Sequence, residues 1–245
     1  MPSKAQIYVA CVATVGLSML AAGLVVGPFP DPPRYACYLL LGLLASTLKL
    51  RLPGLTGTMS VNFLFILMGI ADYSFAETIV MGCGAAIVQS VWRPKRRPEP
   101  IQVVFNVAAL AISISVAYGG SRLILSAARA ISLPALLALA ACLFFVTNTG
   151  LVSLVLSFVE EKPLRDVWRQ CYFLAFPYYL IGAGVAGLVS FTGRAAGWKV
   201  SFLVLPVMYL TYLWYRFHLE NVTRAQSQGP GEDHRAEMVV SSRES

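Results

Sequence analysis

The chain has 245 residues, of which 57% are hydrophobic and only 13% charged, and its mean hydropathy is +0.68. A soluble globular domain carries about 25% charged residues, so this chain has too little polar surface to face water on all sides. The formal charge of +7 does not point to nucleic acid, because the basic residues cluster at the ends of apolar runs, where they act as membrane-flanking anchors.

A helix needs about 20 mostly apolar residues to cross the hydrocarbon core. The first such run is Gln6–Val26, read as a retained span because the Pro-rich turn Gly27–Pro33 follows it rather than a small-residue cleavage site. Tyr35–Leu48 is the second, closed by Lys49 and Arg51. The third is irregular. Val61–Ala71 alone is too short, and it reaches across only with the Pro/Gly/Thr-rich lead-in Leu52–Ser60, so this span is expected to be broken or re-entrant.

Span four is Glu77–Trp92, ending at the Arg93–Pro100 charge cluster, and span five is Ile101–Tyr118. Ser121–Ser132 reads as a surface helix or helical extension, and Leu133–Phe158 as span six. Glu160–Arg169 reads as a charged loop with an amphipathic start. Span seven is Cys171–Phe191, with Pro177 expected to kink it, and span eight is Val200–Arg216. The expected fold is therefore an all-α polytopic bundle of about eight spans, six at the fewest, over residues 1–217. Residues 218–245 form a polar, disordered cytoplasmic tail by the same reading.

Lys and Arg placement sets the orientation. With the Arg93–Arg97 cluster inside, Lys4, Lys49, Arg51, Arg93, Lys95, Arg96, Arg97, Lys162, Arg165, Arg169 and Arg216 all fall inside, eleven cations in total. Outside lie Arg34, Arg122, Arg129, Arg194 and Lys199, five. Both termini are expected in the cytoplasm, with the bilayer itself as the first partner.

Charge inside a membrane is a default pointer to function, and little is present. Asp72 and Glu77 flank the turn between spans three and four. Their plain reading is a pair of solvated turn carboxylates, and the sharper one a cation or substrate contact at the outer mouth. Neutral polar residues are more numerous. Asn62, Gln89, Asn106 and Asn148 lie within or beside spans, where an unpartnered amide costs several kcal/mol. They either bond between helices or, with Glu77, line a small-molecule pocket; both readings stay open.

Enzyme chemistry has little support. Glu160-Glu161-Lys-Pro-Leu-Arg165 matches a membrane-protease pattern, but that chemistry needs histidines on neighbouring spans. The two histidines, His218 and His234, lie at the end of the last span and in the tail. The same shortage argues against haem or a histidine-based metal centre, and the five cysteines lack metal-ligand spacing. No catalytic residue, metal or cofactor is expected.

Leu52-Pro-Gly-Leu-Thr-Gly-Thr-Met-Ser-Val-Asn-Phe63, then Glu77, Gly82–Trp92 and Val103–Val107, resembles the N-terminal membrane-associated sensor (MASE-type) region of bacterial GGDEF and HD-GYP signalling proteins. The resemblance covers mainly residues 49–190. Those proteins continue into a domain that makes or degrades cyclic di-GMP, whereas here the polar residues 218–245 follow the last span. The resemblance implies a sensor-like or ligand-binding module of a bacterial inner membrane, acting through a separate cytoplasmic signalling partner. The alternative is a substrate-binding component of a vitamin-type transporter, docking on a separate transport module.

Overall fold

The computed structural model describes residues 2–27, 29–47, 49–51, 58–60, 62–92, 99–129, 132–172 and 176–197, with the single positions 206, 210, 213 and 217. The described structure is helical apart from one short ribbon, in which β1 (Lys49–Arg51) pairs antiparallel with β2 (Thr58–Ser60). Most of the lead-in singled out in the sequence, residues 52–57, lies outside the described residues, as does most of span eight.

Helix α1 (Ser3–Val26) and α2 (Pro32–Thr47) open the chain, and the ribbon leads into α3 (Phe63–Asp72). Ten residues at 1.5 Å each give α3 a length of about 15 Å, roughly half a hydrocarbon core. Every residue from Phe63 to Ile70 is buried, so α3 is apolar all round and wrapped by protein. After a tight turn come α4 (Phe75–Val91) and α5 (Pro100–Ser115). A π-helical turn, Val116–Gly120, joins α5 to α6 (Ser121–Ala127), so the expected extension beyond span five is one continuous helical rod.

Helix α7 (Leu133–Glu160) follows, then α8 (Leu164–Tyr172) and α9 (Phe176–Ala196). The stretch read as a charged loop is in part a helix. The Pro163 carbonyl accepts from the amides of Asp166 and Val167, Asp166 sits in the first turn, where the helix dipole favours an acid, and Val167 is buried. Pro177 does not kink a span. It stands in the first turn of α9, where no intrahelical N–H is lost.

Among the described residues three helices are long and apolar enough to cross a membrane: Ser3–Val25, Pro100–Ala127 and Leu133–Glu160. Helices α3 and α4 are shorter apolar helices. The main core gathers Phe63 to Ile70 of α3 with Tyr35 and Tyr38 of α2, Ile79 and Met81 of α4, and Phe144, Phe145 and Tyr179 of α7 and α9. A second, smaller core holds α1 on α5 through Val9, Val12, Phe105 and Ala108. Close approach there depends on Gly16, since a Cβ at that position would stand 2.3 Å from the Ala108 carbonyl oxygen.

Candidate functional site

At the C-terminal end of α3, charged side chains from several helices meet. A helix leaves its last carbonyls without intrahelical partners, and here separate elements supply them. The Tyr73 amide donates to the Gly69 carbonyl at 3.0 Å. Arg122 Nη2 of α6 donates to the Ile70 carbonyl at 2.8 Å, and Arg194 Nη2 of α9 to that of Ala71 at 3.1 Å. Guanidinium groups suit this end because the helix dipole is negative there and the bonds are charge-assisted.

Each arginine is held by a further contact. Arg194 also bonds Asp72, whose side chain is 9% exposed against 53% for Arg194. The Arg122 guanidinium lies 3.7 Å above the Tyr118 ring, close enough for cation–π attraction. Tyr118 belongs to the π turn, and its hydroxyl donates to the Tyr73 carbonyl at 3.2 Å. From α2, Arg34 stands 5.3 Å from the Tyr73 ring centroid and 6.0 Å from that of Tyr38. The three arginines are all members of the group that the charge count sets outside.

The turn also starts α4, and its acid is Glu77. The Ser74 hydroxyl accepts from the Glu77 amide at 3.2 Å and Glu77 Oε2 accepts from the Ser74 amide at 2.9 Å, a reciprocal capping box. Glu77 is 0% exposed, and its Oε1 has no hydrogen-bond partner among the described residues. Tyr35 donates its hydroxyl to the Glu77 main-chain carbonyl at 3.1 Å. Glu77 is thus not a solvated turn carboxylate: its cap requires it to fold back against the helix start, under Tyr35. Asp72 is not free either, since Arg194 holds it.

Three further buried polar atoms at this end lack partners among the described residues: Arg34 Nε, Tyr73 Oη and Arg122 Nη1. Burial pushes the Tyr73 phenol well above its usual range, and the Arg34 guanidinium opposes part of that shift. The site therefore combines two cations with unused donors, a neutral phenol, and a carboxylate with one unused oxygen.

The other residues singled out in the sequence are spread along the bundle. Asn62 precedes α3, about 15 Å from the arginine end by the helical rise. It is 3% exposed with Oδ1 unpartnered among the described residues. Its backbone is already helical (φ −54°, ψ −28°), so its side chain does not reach back to cap the helix, as an extended residue there would. Asn106 is exposed on α5 and meets Ser90 of α4 at 3.5 Å, the long limit of a hydrogen bond. Gln89, beside Ser90, and Asn148 on α7 are half-buried. The structure brings Asn106 near the Gln89–Ser90 stretch, and it does not gather the five residues into one pocket.

No family model matches the chain, and no curated protein or solved structure matches it either. Among the described residues no group of three or more His, Cys, Asp and Glu is arranged to hold a metal ion.

Arg34, Tyr73, Tyr118, Arg122 and Arg194 were not candidates in the sequence. One local signal was available: Ser74-Phe-Ala-Glu77 before an apolar run is the capping-box pattern, and it implies that Glu77 turns inward. Nothing local marks the arginines, whose meeting depends on four separate helices.

Proposed function

We propose that the chain is a multi-pass module of a bacterial inner membrane that binds a small ligand in a sensor-like role and acts through a separate partner. The single observation that carries this reading is Glu77. It is fully buried with one carboxylate oxygen unpartnered among the described residues, at a turn on which three arginines from different helices converge. Leaving a buried polar atom unsatisfied costs about 1–3 kcal/mol, and ionisable groups at membrane depth mark sites by default.

In this reading the chain crosses about eight times, with both termini cytoplasmic and α3 forming the outer half of a broken third crossing. Burial of Phe63–Ile70 supports that, because a crossing with non-helical backbone at membrane depth needs protein around it. Arg34, Arg122 and Arg194 would face outside, while Lys4 and Lys162 lie at the opposite ends of α1 and α7. A ligand that changes the bonding at the α3–α4 turn would shift α4, α9 and the continuous α5–α6 rod together, and α4, α5 and α9 lead from that turn to the cytoplasmic face. The module performs no chemistry of its own in this reading.

One observation favours the transport reading as a second. A half-length helix starting from a buried Asn62 is the kind of discontinuous segment that lines substrate sites in transporters. Purification of the full chain in mild detergent, followed by mass spectrometry of bound small molecules and copurified proteins, separates the two. A bound small molecule lost in Glu77→Ala, with a signalling protein as partner, supports the sensor reading. An ATP-binding transport module as partner supports the second reading. A chain that carries no small molecule and no partner overturns both.

A further inference from the structure

Four phenols surround the α3–α4 turn: Tyr35 bonds the Glu77 carbonyl, Tyr118 bonds the Tyr73 carbonyl, and Tyr38 packs edge-on against the Tyr73 ring at 5.5 Å. Tyr73 is the fourth. It is 8% exposed and its hydroxyl has no partner among the described residues. The Arg34 guanidinium stands 5.3 Å from the centroid of the Tyr73 ring.

Arg34 lies in the first turn of α2, half-buried, with Nε fully covered and unpartnered among the described residues. A guanidinium stays charged at any physiological pH, so it cannot escape burial by losing its proton. Three acids at this end each bond another group, with Glu77 Oε1 alone left unpartnered among their buried oxygens. Asp31 accepts from the Arg34 main-chain amide at 3.3 Å, Asp72 is held by Arg194, and Glu77 Oε2 accepts from the Ser74 amide. No carboxylate among the described residues lies within ion-pair distance of Arg34. A fixed cation without an ion-paired carboxylate thus stands beside a buried, unpartnered hydroxyl, and Arg34 keeps part of its surface exposed at this helix end.

We propose that Arg34 and Tyr73 bind the phosphate group of a phospholipid or of a small soluble phosphate, one oxyanion accepting from the guanidinium and the hydroxyl together. Guanidinium forks match phosphate geometry, and the end of a membrane helix is the depth at which lipid phosphates lie. Arg122 takes no part, being anchored on the Ile70 carbonyl and the Tyr118 ring. This inference rests on the ligand-binding reading above and names the chemistry of the ligand.

The test uses the full chain in detergent with two probes. Phosphatidylglycerol retention is read by native mass spectrometry against phosphatidylcholine, and inorganic phosphate is titrated with the thermal unfolding midpoint as readout. Saturable binding of either probe is expected, the lipid arm or the free-phosphate arm identifying the source. Arg34→Gln and Tyr73→Phe should each weaken it about tenfold or more, the effect of one charge-assisted hydrogen bond. Tyr73→Phe removes only a hydroxyl that touches no described acceptor, so without phosphate it should melt at or above the wild-type temperature. Absence of saturable binding of both probes, or binding unchanged in Tyr73→Phe, overturns the inference. If a different small molecule is then found bound and sensitive to Glu77→Ala, the inference fails while the proposed function stands.

Discussion

Arg194 donates two hydrogen bonds to the same oxygen of Asp72, at 2.9 Å from Nε and 2.7 Å from Nη2, across 122 residues of chain. The pair ties α9 to the end of α3, and its two members differ in exposure. Because Arg194 is half exposed, solvent screens the attraction, and exposed pairs contribute about 0.2–1 kcal/mol. A double-mutant cycle of Asp72→Asn and Arg194→Gln, read as unfolding in detergent, should give a coupling energy in that range. Arg194→Gln alone should cost more than Asp72→Asn, because it also strips the Ala71 carbonyl of its donor.

The capping box makes a sharper prediction at Glu77. Glu77→Gln keeps an oxygen for the Ser74 amide, whereas Glu77→Ala removes it. Loss of an N-terminal cap costs about 0.5–2 kcal/mol, so the alanine variant should melt clearly below the glutamine variant. Equal melting temperatures would mean that the cap contributes nothing to α4.

Helix contacts through glycine can be ranked. Gly16→Ala drives a methyl into the Ala108 backbone, which cannot move aside as a side chain would. Overpacking of that kind costs about 1–3 kcal/mol. Gly184→Ala meets nothing within 4 Å, and replacing an interior helical glycine by alanine gains up to about 1 kcal/mol. Thermal unfolding of the two variants should move in opposite directions.

Tyr118→Phe removes the hydroxyl that bonds the Tyr73 carbonyl but keeps the ring beneath Arg122. A loss of about 1 kcal/mol is expected, with the cation–π contact intact. A much larger loss would show that the π turn itself depends on this hydrogen bond.

Hydrophobic runs and breakers made most helices legible in the sequence: α1, α2, α4 and α7 begin and end within a few residues of the expected spans. The shape of α3 was also foreshadowed, since Val61–Ala71 is too short to cross. Where local reading erred, tertiary context was the reason. Pro177 reads as a kink until the helix start is placed one residue before it, and Leu164–Tyr172 reads as loop until buried Val167 gives it a face to pack. The arginine cluster was illegible because positive charge near a span end has two meanings, water-facing anchor or cap for a neighbouring helix. Only the packing of α2, α6 and α9 around α3 decides between them. Glu77 was legible in part: its position was noted, but the inward turn required reading Ser74 with it.

Ligand binding at the arginine end requires the bundle to cross a membrane with that end outside and the Lys4 end inside. Single cysteines at the exposed positions Ser126 and Ser3, in a chain whose native cysteines are replaced by alanine, measure this directly with a membrane-impermeant maleimide on intact cells. Labelling of Ser126→Cys in intact cells, and of Ser3→Cys only after permeabilisation, is the expected result. Labelling of both from outside, or of neither until the membrane is opened, would contradict it.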